Sequence, residues 1–305
     1  MPGMLISEGD EFVAGDAGMG KTMKDSLLTY KKEKDFLICL DSDGCVMDTM
    51  DIKHIRCFGP CMVSEWKLEE WEDEILARWN EINLYTMMRG VNRFKGLAKA
   101  LREIHEKYRE IEGLDDFERW VEKTPELSNK ALERELEQRE GPCLRRAYDW
   151  SIAVNQSVDR LPREDKRPFA GVRSALKMAH ESVDLAVVSS ANRDAVMEEW
   201  EEHELLEYVD VVLAQDSGSK ASCIGALMEH GYAKEHVLMC GDAAGDMEAA
   251  KKNGVFYYPV MVRHEAQSWN EFVTEGLAHF LDGTYGGTYQ DRKIKEFLDN
   301  LKERK

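Results

Sequence analysis

The feature that most constrains this chain is the alternation of short apolar runs with helical hydrophobic patterns. The runs are apolar at nearly every position, which is typical of strands covered on both faces of a sheet. They lie at Phe36–Leu40, Leu185–Val188, Val209–Leu213 and Val237–Cys240. Helical patterns are found at about 171–181, 193–206, 219–230 and 244–253. This order of elements predicts an α/β fold with a doubly wound parallel sheet.

The stretch from residue 52 to 165 has a different pattern. It is rich in Glu, Lys, Arg and Leu at helical spacing and contains five of the seven tryptophans, which suffices for a helical core of its own. We therefore predict an all-helical domain inserted after the first strand. The predicted units are an N-terminal extension at 1–34, an α/β core at 35–51 and 166–265, the helical domain at 52–165, and a C-terminal helical extension of the core at 266–305.

Composition narrows the class of protein. The chain has 59 acidic and 41 basic side chains, a formal net charge of −18, so we expect no nucleic-acid partner and no membrane partner. Seven cysteines at irregular spacing do not resemble a disulfide framework, and the N-terminal residues lack the pattern of a signal peptide. We expect a cytoplasmic protein with reduced thiols. The sequence does not indicate an oligomeric state.

Acidic residues follow two of the predicted strands. Asp41 and Asp43 come directly after the first run, and Asp242 and Asp246 follow the run at Val237–Cys240. Strand ends of a parallel sheet meet at one edge, where ligands bind. Of two carboxylates two residues apart, one can attack phosphorus while the other handles a proton. Gathered carboxylates repel one another, so we expect a hard divalent cation, Mg²⁺, as cofactor.

Four segments resemble motifs of the haloacid dehalogenase-like (HAD) superfamily, in the phosphatase subgroup with a helical (C1) cap inserted after the first strand. They are Phe36–Gly44, Leu185–Asn192, Ser219-Lys220 and Gly241–Asp246. The resemblance implies a HAD-like, Rossmannoid core whose cap is the inserted helical domain. It also implies a Mg²⁺-dependent hydrolase that removes phosphate from a small phosphorylated metabolite.

The resemblance also implies residue roles. Asp41 would be the nucleophile that forms an aspartyl-phosphate, and Asp43 would be the general acid and base. Ser189 and Lys220 would hold phosphate oxygens. The Asp41 carboxylate, the Asp43 backbone carbonyl and Asp242 would bind Mg²⁺, and Asp246 would bind it directly or through water. The carboxylate at Asp43 favours a phosphatase or a phosphomutase over dehalogenating and ion-pumping relatives. A phosphomutase and a non-catalytic binding or regulatory protein remain the alternatives.

A second phosphate motif competes with this interpretation. Gly15–Thr22 matches the G-x-x-x-x-G-K-[ST] pattern of a nucleotide-binding loop. Such a loop follows a buried strand, and Glu11–Ala14 is too short and too polar for one. We therefore interpret the segment as part of a glycine-rich tail.

Substrate contacts are expected from the cap. The stretch Tyr85–Gly96 carries several polar and cationic side chains in an acidic protein, which suits a loop that binds an anionic or polyhydroxyl substrate. A solvated connection between helices explains the same residues equally well. The substrate-binding candidates are Arg89, Asn92, Arg93, Ser190 and Asn192. Helix capping is the alternative role for Ser190 and Asn192.

Overall fold

The computed structural model describes residues 26–303, and its centre is a parallel sheet of five strands. In space the strands run in the order β3-β2-β1-β4-β5. Their bounds are β1 Phe36–Leu40, β2 Val183–Val188, β3 Val211–Leu213, β4 Val237–Gly241 and β5 Phe256–Pro259. The central strand β1 pairs with β2 and β4, with Ile38 opposite both Leu185 and Leu238. The doubly wound fold class is therefore confirmed.

Helices connect every pair of consecutive strands. Eight lie between β1 and β2 in sequence: α1 Met50–Lys53, α2 Gly59–Trp66, α3 Glu72–Tyr85, α4 Arg93–Lys107, α5 Leu114–Lys123, α6 Asn129–Gln138, α7 Pro142–Asp159 and α8 Val172–His180. The rest are α9 Arg193–Glu202, α10 Lys220–Met228, α11 Ala244–Asn253, α12 Glu265–Glu271, α13 Leu277–Leu281 and α14 Thr288–Asn300. Turns of π-helix at His54–Phe58 and Phe272–Gly276 join α1 to α2 and α12 to α13.

The sheet is buried on both faces, as the unbroken apolar runs predict. Successive side chains of a strand point to opposite faces, so Ile38 and Leu40 join one hydrophobic cluster while Leu37 and Cys39 join the other. The first cluster includes Trp200 of α9 and Trp269 of α12, both fully buried. This packing holds β1 rigidly, so the residues that follow it start from a fixed point.

The helices from α2 to α7 form a separate hydrophobic cluster. Its large side chains meet mostly edge to face, as aromatic rings prefer: Phe94 lies 5.3 Å from Trp120, and Trp79 lies 6.0 Å from Trp150, between ring centroids. The inserted segment therefore has its own core. The exact domain boundaries that the sequence suggests stay a prediction.

Two details differ from the sequence-based expectations. The strand β5, Phe256–Pro259, was not predicted, because its aromatic residues follow the helix α11 without a turn signal other than Gly254. The helix expected at 193–206 ends at Glu202, and a 3₁₀ turn follows at Leu206–Tyr208.

At its N-terminal side the described chain is docked on the core. Tyr30 is buried against Tyr232, and the backbone N–H groups of Glu33 and Lys34 donate to Asp184 at the start of β2.

The segment Gly15–Thr22 lies outside the described residues. All seven cysteines are free thiols. None of the helices within residues 26–303 combines the length and the apolar character needed to cross a membrane.

Candidate active site

Asp41 stands at the carboxyl end of the central strand, where its position is fixed from both sides. Its N–H donates to the Cys240 carbonyl of β4 (3.0 Å), and its Oδ1 accepts from the Ser42 N–H (2.8 Å). Trp200 in turn donates to the Ser42 hydroxyl (2.9 Å). Gly44 closes the turn with φ of +82°, and a Cβ there would lie 2.4 Å from an Asp242 oxygen. Only glycine fits at this position.

Two further carboxylates lie beside that of Asp41. Ligand oxygens of Asp41, Asp242 and Asp246 all lie within 4.8 Å of one another, and all three side chains are buried. Asp242 follows β4, and Asp246 lies in the first turn of α11, where its Oδ2 accepts from the Ala243 N–H (3.1 Å). The turn that precedes α11 brings Asp242 and Asp246 together, because the helix begins only at Ala244.

The carboxylate cluster fits a hard divalent cation. Asp242 Oδ1 is buried and has no hydrogen-bond partner among the described residues, so one oxygen is left for a ligand. Burial raises the pKa of Asp242 to about 6, although the positive charge of Arg89 opposes this shift. Burial also raises the pKa of Asp246 to about 7, and there the positive charge of Lys220 opposes the shift. A second cause in both cases is the negative charge of Asp41. Oxygen ligands that repel one another in this way suit Mg²⁺.

Lys220 is the core's cation at this cluster. It begins α10, and its Nζ lies 2.8 Å from Asp41 Oδ2 and 2.5 Å from Asp246 Oδ1. Burial alone would lower the pKa of Lys220, but the two carboxylates outweigh burial and raise it. Lys220 is therefore charged at neutral pH and lies where it can contact both Asp41 and a ligand bound beside it.

Arg89 reaches the same cluster from the inserted helical domain. It lies on the turn between α3 and α4, and its side chain is 1% exposed. Its Nε donates to Asp242 Oδ2 (2.5 Å), and its Nη1 donates to Asp51 Oδ1 (3.2 Å) and to the Leu84 carbonyl (3.1 Å). The sequence placed Arg89 as a substrate contact or a solvated loop cation, and the structure instead shows it paired with a carboxylate of the core.

Arg93 and Asn92 do not join Arg89 at the cluster. Arg89 precedes the helix that Arg93 begins, so the two residues do not share a helix face. Arg93 Nη1 donates to Ser151 Oγ (3.1 Å) and Asn155 Oδ1 (2.7 Å) of α7, within the inserted domain. Asn92 caps α4 by accepting from the Phe94 N–H (3.0 Å).

Asp43 is held by residues that sequence reasoning did not identify. Lys53 of α1 donates to both carboxylate oxygens (2.8 Å each), and the Thr49 hydroxyl donates to Oδ1 (2.6 Å). Burial opposes the charged form of Asp43, but Lys53 outweighs burial and lowers the pKa of Asp43. Lys53 also lies 3.8 Å from Glu199 of α9. The sequence contained one signal for this contact. Thr49 and Lys53 are four residues apart at the start of a helix, so their side chains are neighbours on one face.

The residues after β2 have separate roles. Ser189 is buried at the end of β2, and its Oγ accepts from the Ala191 N–H (3.1 Å), which leaves the hydroxyl proton free for another acceptor. Asn192 accepts from the N–H groups of Asp194 (2.9 Å) and Ala195 (3.3 Å), the capping role that was its alternative. Ser190 is exposed.

Comparison with known proteins identifies the class. A family model described as haloacid dehalogenase-like hydrolase matches residues 91–260. The match spans more than half of the chain, so this protein belongs to the haloacid dehalogenase-like hydrolases. No curated protein matches it in sequence.

Solved structures of several hydrolases are similar to this chain at low identity. A haloacid dehalogenase-like family hydrolase from Streptococcus pneumoniae has 12% identity and a TM-score of 0.41, over 77% of this chain and 90% of that one. A hydrolase from Pseudomonas syringae has 15% identity and a TM-score of 0.44, with the same coverage of 77% and 90%. A HAD-superfamily hydrolase of subfamily IA from Geobacter sulfurreducens has 15% identity and a TM-score of 0.37, over 76% and 90%.

Proposed function

We propose that this protein is a Mg²⁺-dependent phosphomonoester hydrolase that acts on a small phosphorylated metabolite through an aspartyl-phosphate. The observation that carries the proposal is the buried set of Asp41, Asp242 and Asp246 with Lys220 at the carboxyl edge of the sheet. Asp43, two residues from Asp41, adds a second carboxylate beside this set. Phosphoryl transfer needs an attacking carboxylate, a proton carrier, a fixed positive side chain and a site for a metal ion.

Asp41, Asp242, Asp246 and the Asp43 carbonyl would hold the magnesium ion. When bound, the ion supplies positive charge that screens the repulsion between the phosphate and the Asp41 carboxylate. The unpartnered Oδ1 of Asp242 supports this assignment, because a buried carboxylate oxygen without a partner is costly unless it has a ligand.

The chain's own side chains would divide the chemistry. The Asp41 carboxylate attacks phosphorus, and the bond to the leaving oxygen breaks as the protonated form of Asp43, which Lys53 disfavours, gives that oxygen its proton. Water then attacks the aspartyl-phosphate while Asp43 takes its proton. Lys220 stabilises charge on the phosphoryl oxygens, and the Ser189 hydroxyl is free to donate to one of them.

The inserted helical domain would shield the reaction from water. Asp41 is 5% exposed, and Asp242 and Asp246 are fully buried. A substrate therefore reaches these carboxylates only after part of their cover moves, and the turn that carries Arg89 covers Asp242. Closure of such a lid excludes water and completes the site.

A screen of phosphorylated metabolites tests the proposal. Phosphate release is measured for the full chain with Mg²⁺ present and with Mg²⁺ removed by chelation. Release of phosphate that needs Mg²⁺ and leaves a phosphoenzyme in acid-quenched samples would support it. Isomerised phosphorylated product in place of free phosphate would identify a phosphomutase, and the absence of any phosphoryl transfer would contradict the proposal.

A further inference from the structure

The cation paired with Asp242 comes from the inserted domain and not from the core. Asp41 and Asp246 both pair with Lys220, which belongs to the core helix α10. The ion-pair partner of Asp242 is Arg89, whose Nε lies 2.5 Å from its Oδ2. A buried carboxylate needs a nearby positive charge. For Asp242 that charge comes from the turn between α3 and α4.

The turn that carries Arg89 is pressed against the loop that carries Asp242. A Cβ on Gly90 would lie 2.5 Å from the Ala243 side chain, and a Cβ on Gly44 would lie 2.5 Å from Arg89 Nη2. Tyr85 flanks the turn, with Arg263 of the core 3.7 Å from its ring centroid and its hydroxyl 3.1 Å from Asp51. When the turn that carries Arg89 packs against the loop of Asp242, the Arg89 guanidinium therefore enters the carboxylate cluster at the same time.

Arg89 and a divalent cation would both bind the carboxylate of Asp242. Arg89 pairs with Asp242 and Asp51, and Lys220 pairs with Asp41 and Asp246. A divalent ion entering beside Arg89 would share the Asp242 carboxylate with it, and the two adjacent cations would repel each other. Release of the turn removes this conflict.

We propose that Arg89 substitutes for the divalent cation's charge at Asp242, so that seating of the Arg89 turn and binding of the cation compete. The inference rests on the proposed metal site. Because linkage is reciprocal, removing Arg89 strengthens cation binding, and binding of the cation loosens the turn. The cation would thereby favour the open state into which substrate enters, and Arg89 would cover Asp242 when the ion is absent.

The test measures cation binding to the full chain without substrate. Mn²⁺ binding is followed by electron paramagnetic resonance and Mg²⁺ binding by calorimetry, for the wild type and for Arg89→Gln. We expect Arg89→Gln to bind both ions more tightly, by roughly 5- to 150-fold, the range for coupled sites. The matched control is Arg93→Gln, a half-buried arginine of the same domain that donates to Ser151 and Asn155. Its affinity should equal that of the wild type.

A second variant keeps Arg89 and moves its turn. Gly90→Ala places a methyl group against Ala243 and strains a residue with φ of +71°, so the turn seats poorly. We expect tighter Mn²⁺ binding than in the wild type here as well. Near-UV circular dichroism establishes that each variant is folded. In the wild type, Mg²⁺ alone should speed hydrogen exchange of the backbone at residues 86–91.

The outcomes separate the inference from the proposed function. Equal or weaker cation binding by folded Arg89→Gln would overturn the inference, since Arg89 would then be neutral toward the ion or would orient Asp242 for it. Slower exchange at 86–91 with Mg²⁺ would overturn it as well. If neither the wild type nor the variants bind Mn²⁺, the proposed metal site itself fails.

Discussion

Replacement of Lys53 tests how Asp43 is prepared for proton transfer. Lys53→Met removes the charge and the donor while keeping the length of the side chain. Asp43 then retains only the Thr49 hydroxyl among its present side-chain partners, and Glu199 retains Lys166 at 3.7 Å. Asp43 would be free to turn away from the leaving oxygen, so we expect slower phosphoryl transfer at nearly unchanged substrate binding.

The magnitude follows from the contacts. Lys53 Nζ lies 2.8 Å from both Asp43 oxygens, and its side chain is 11% exposed, so solvent screens the pair weakly. A hydrogen bond to a charged group contributes about 1.5–3 kcal/mol. If that energy orients Asp43 in the transition state, kcat falls by roughly 10- to 150-fold, at about 1.4 kcal/mol for each factor of ten.

The assay compares two leaving groups. An alkyl phosphate that the wild type hydrolyses needs a proton on its leaving oxygen, whereas p-nitrophenyl phosphate has a stable leaving anion and needs that proton less. Lys53→Met should therefore lose more activity on the alkyl phosphate, and Lys53→Arg should restore part of it. Lys166→Met is the control, because Lys166 pairs with Glu199 and its salt bridge does not involve Asp43. Equal losses on both substrates, or none, would refute this role for Lys53.

Three further predictions concern other parts of the chain. Asp41→Asn should reduce turnover by several orders of magnitude in a folded protein, with steady-state kinetics as the measurement, and appreciable residual hydrolysis would exclude a covalent Asp41 intermediate. A chain that begins at Ser26 keeps the buried Tyr30, so it should retain phosphatase activity and bind nucleotide no differently from the full chain in equilibrium dialysis. Arg93→Ala should lower the free energy of unfolding by about 1–3 kcal/mol, measured in urea, with KM unchanged.

The fold could be predicted because its signals are local. Apolar runs that end in polar residues located β1, β2, β3 and β4, and the helix predicted at 244–253 has those bounds in the structure. The strand β5 lacked such a signal, since Phe256–Pro259 is short and ends in proline. Its place in the sheet depends on pairing with β4, as in Cys240 opposite Tyr258, which the sequence does not display.

The core part of the candidate site could be anticipated for the same reason. Asp41 and Asp242 each follow a strand of the sheet, and Lys220 begins a helix that connects two of its strands. Parallel strands bring such positions to a single edge. The partners of Asp43 required more than this rule. Lys53 reaches Asp43 only because α1 begins with Met50 and directs Lys53 back over the loop, a matter of helix orientation.

The contact between Arg89 and Asp242 lay beyond any local signal, since 153 residues separate the two. Its energetics also explain why the position matters. Without Arg89, Asp242 would be a buried charge without its ion-pair partner, which costs several kcal/mol. In the closed state Asp242 is therefore stabilised by Arg89. When the turn lifts, both charges gain water or a new partner, which offsets part of the loss. Opening of the site therefore leaves Asp242 to water or to a new partner, and the proposed divalent cation would fit this position.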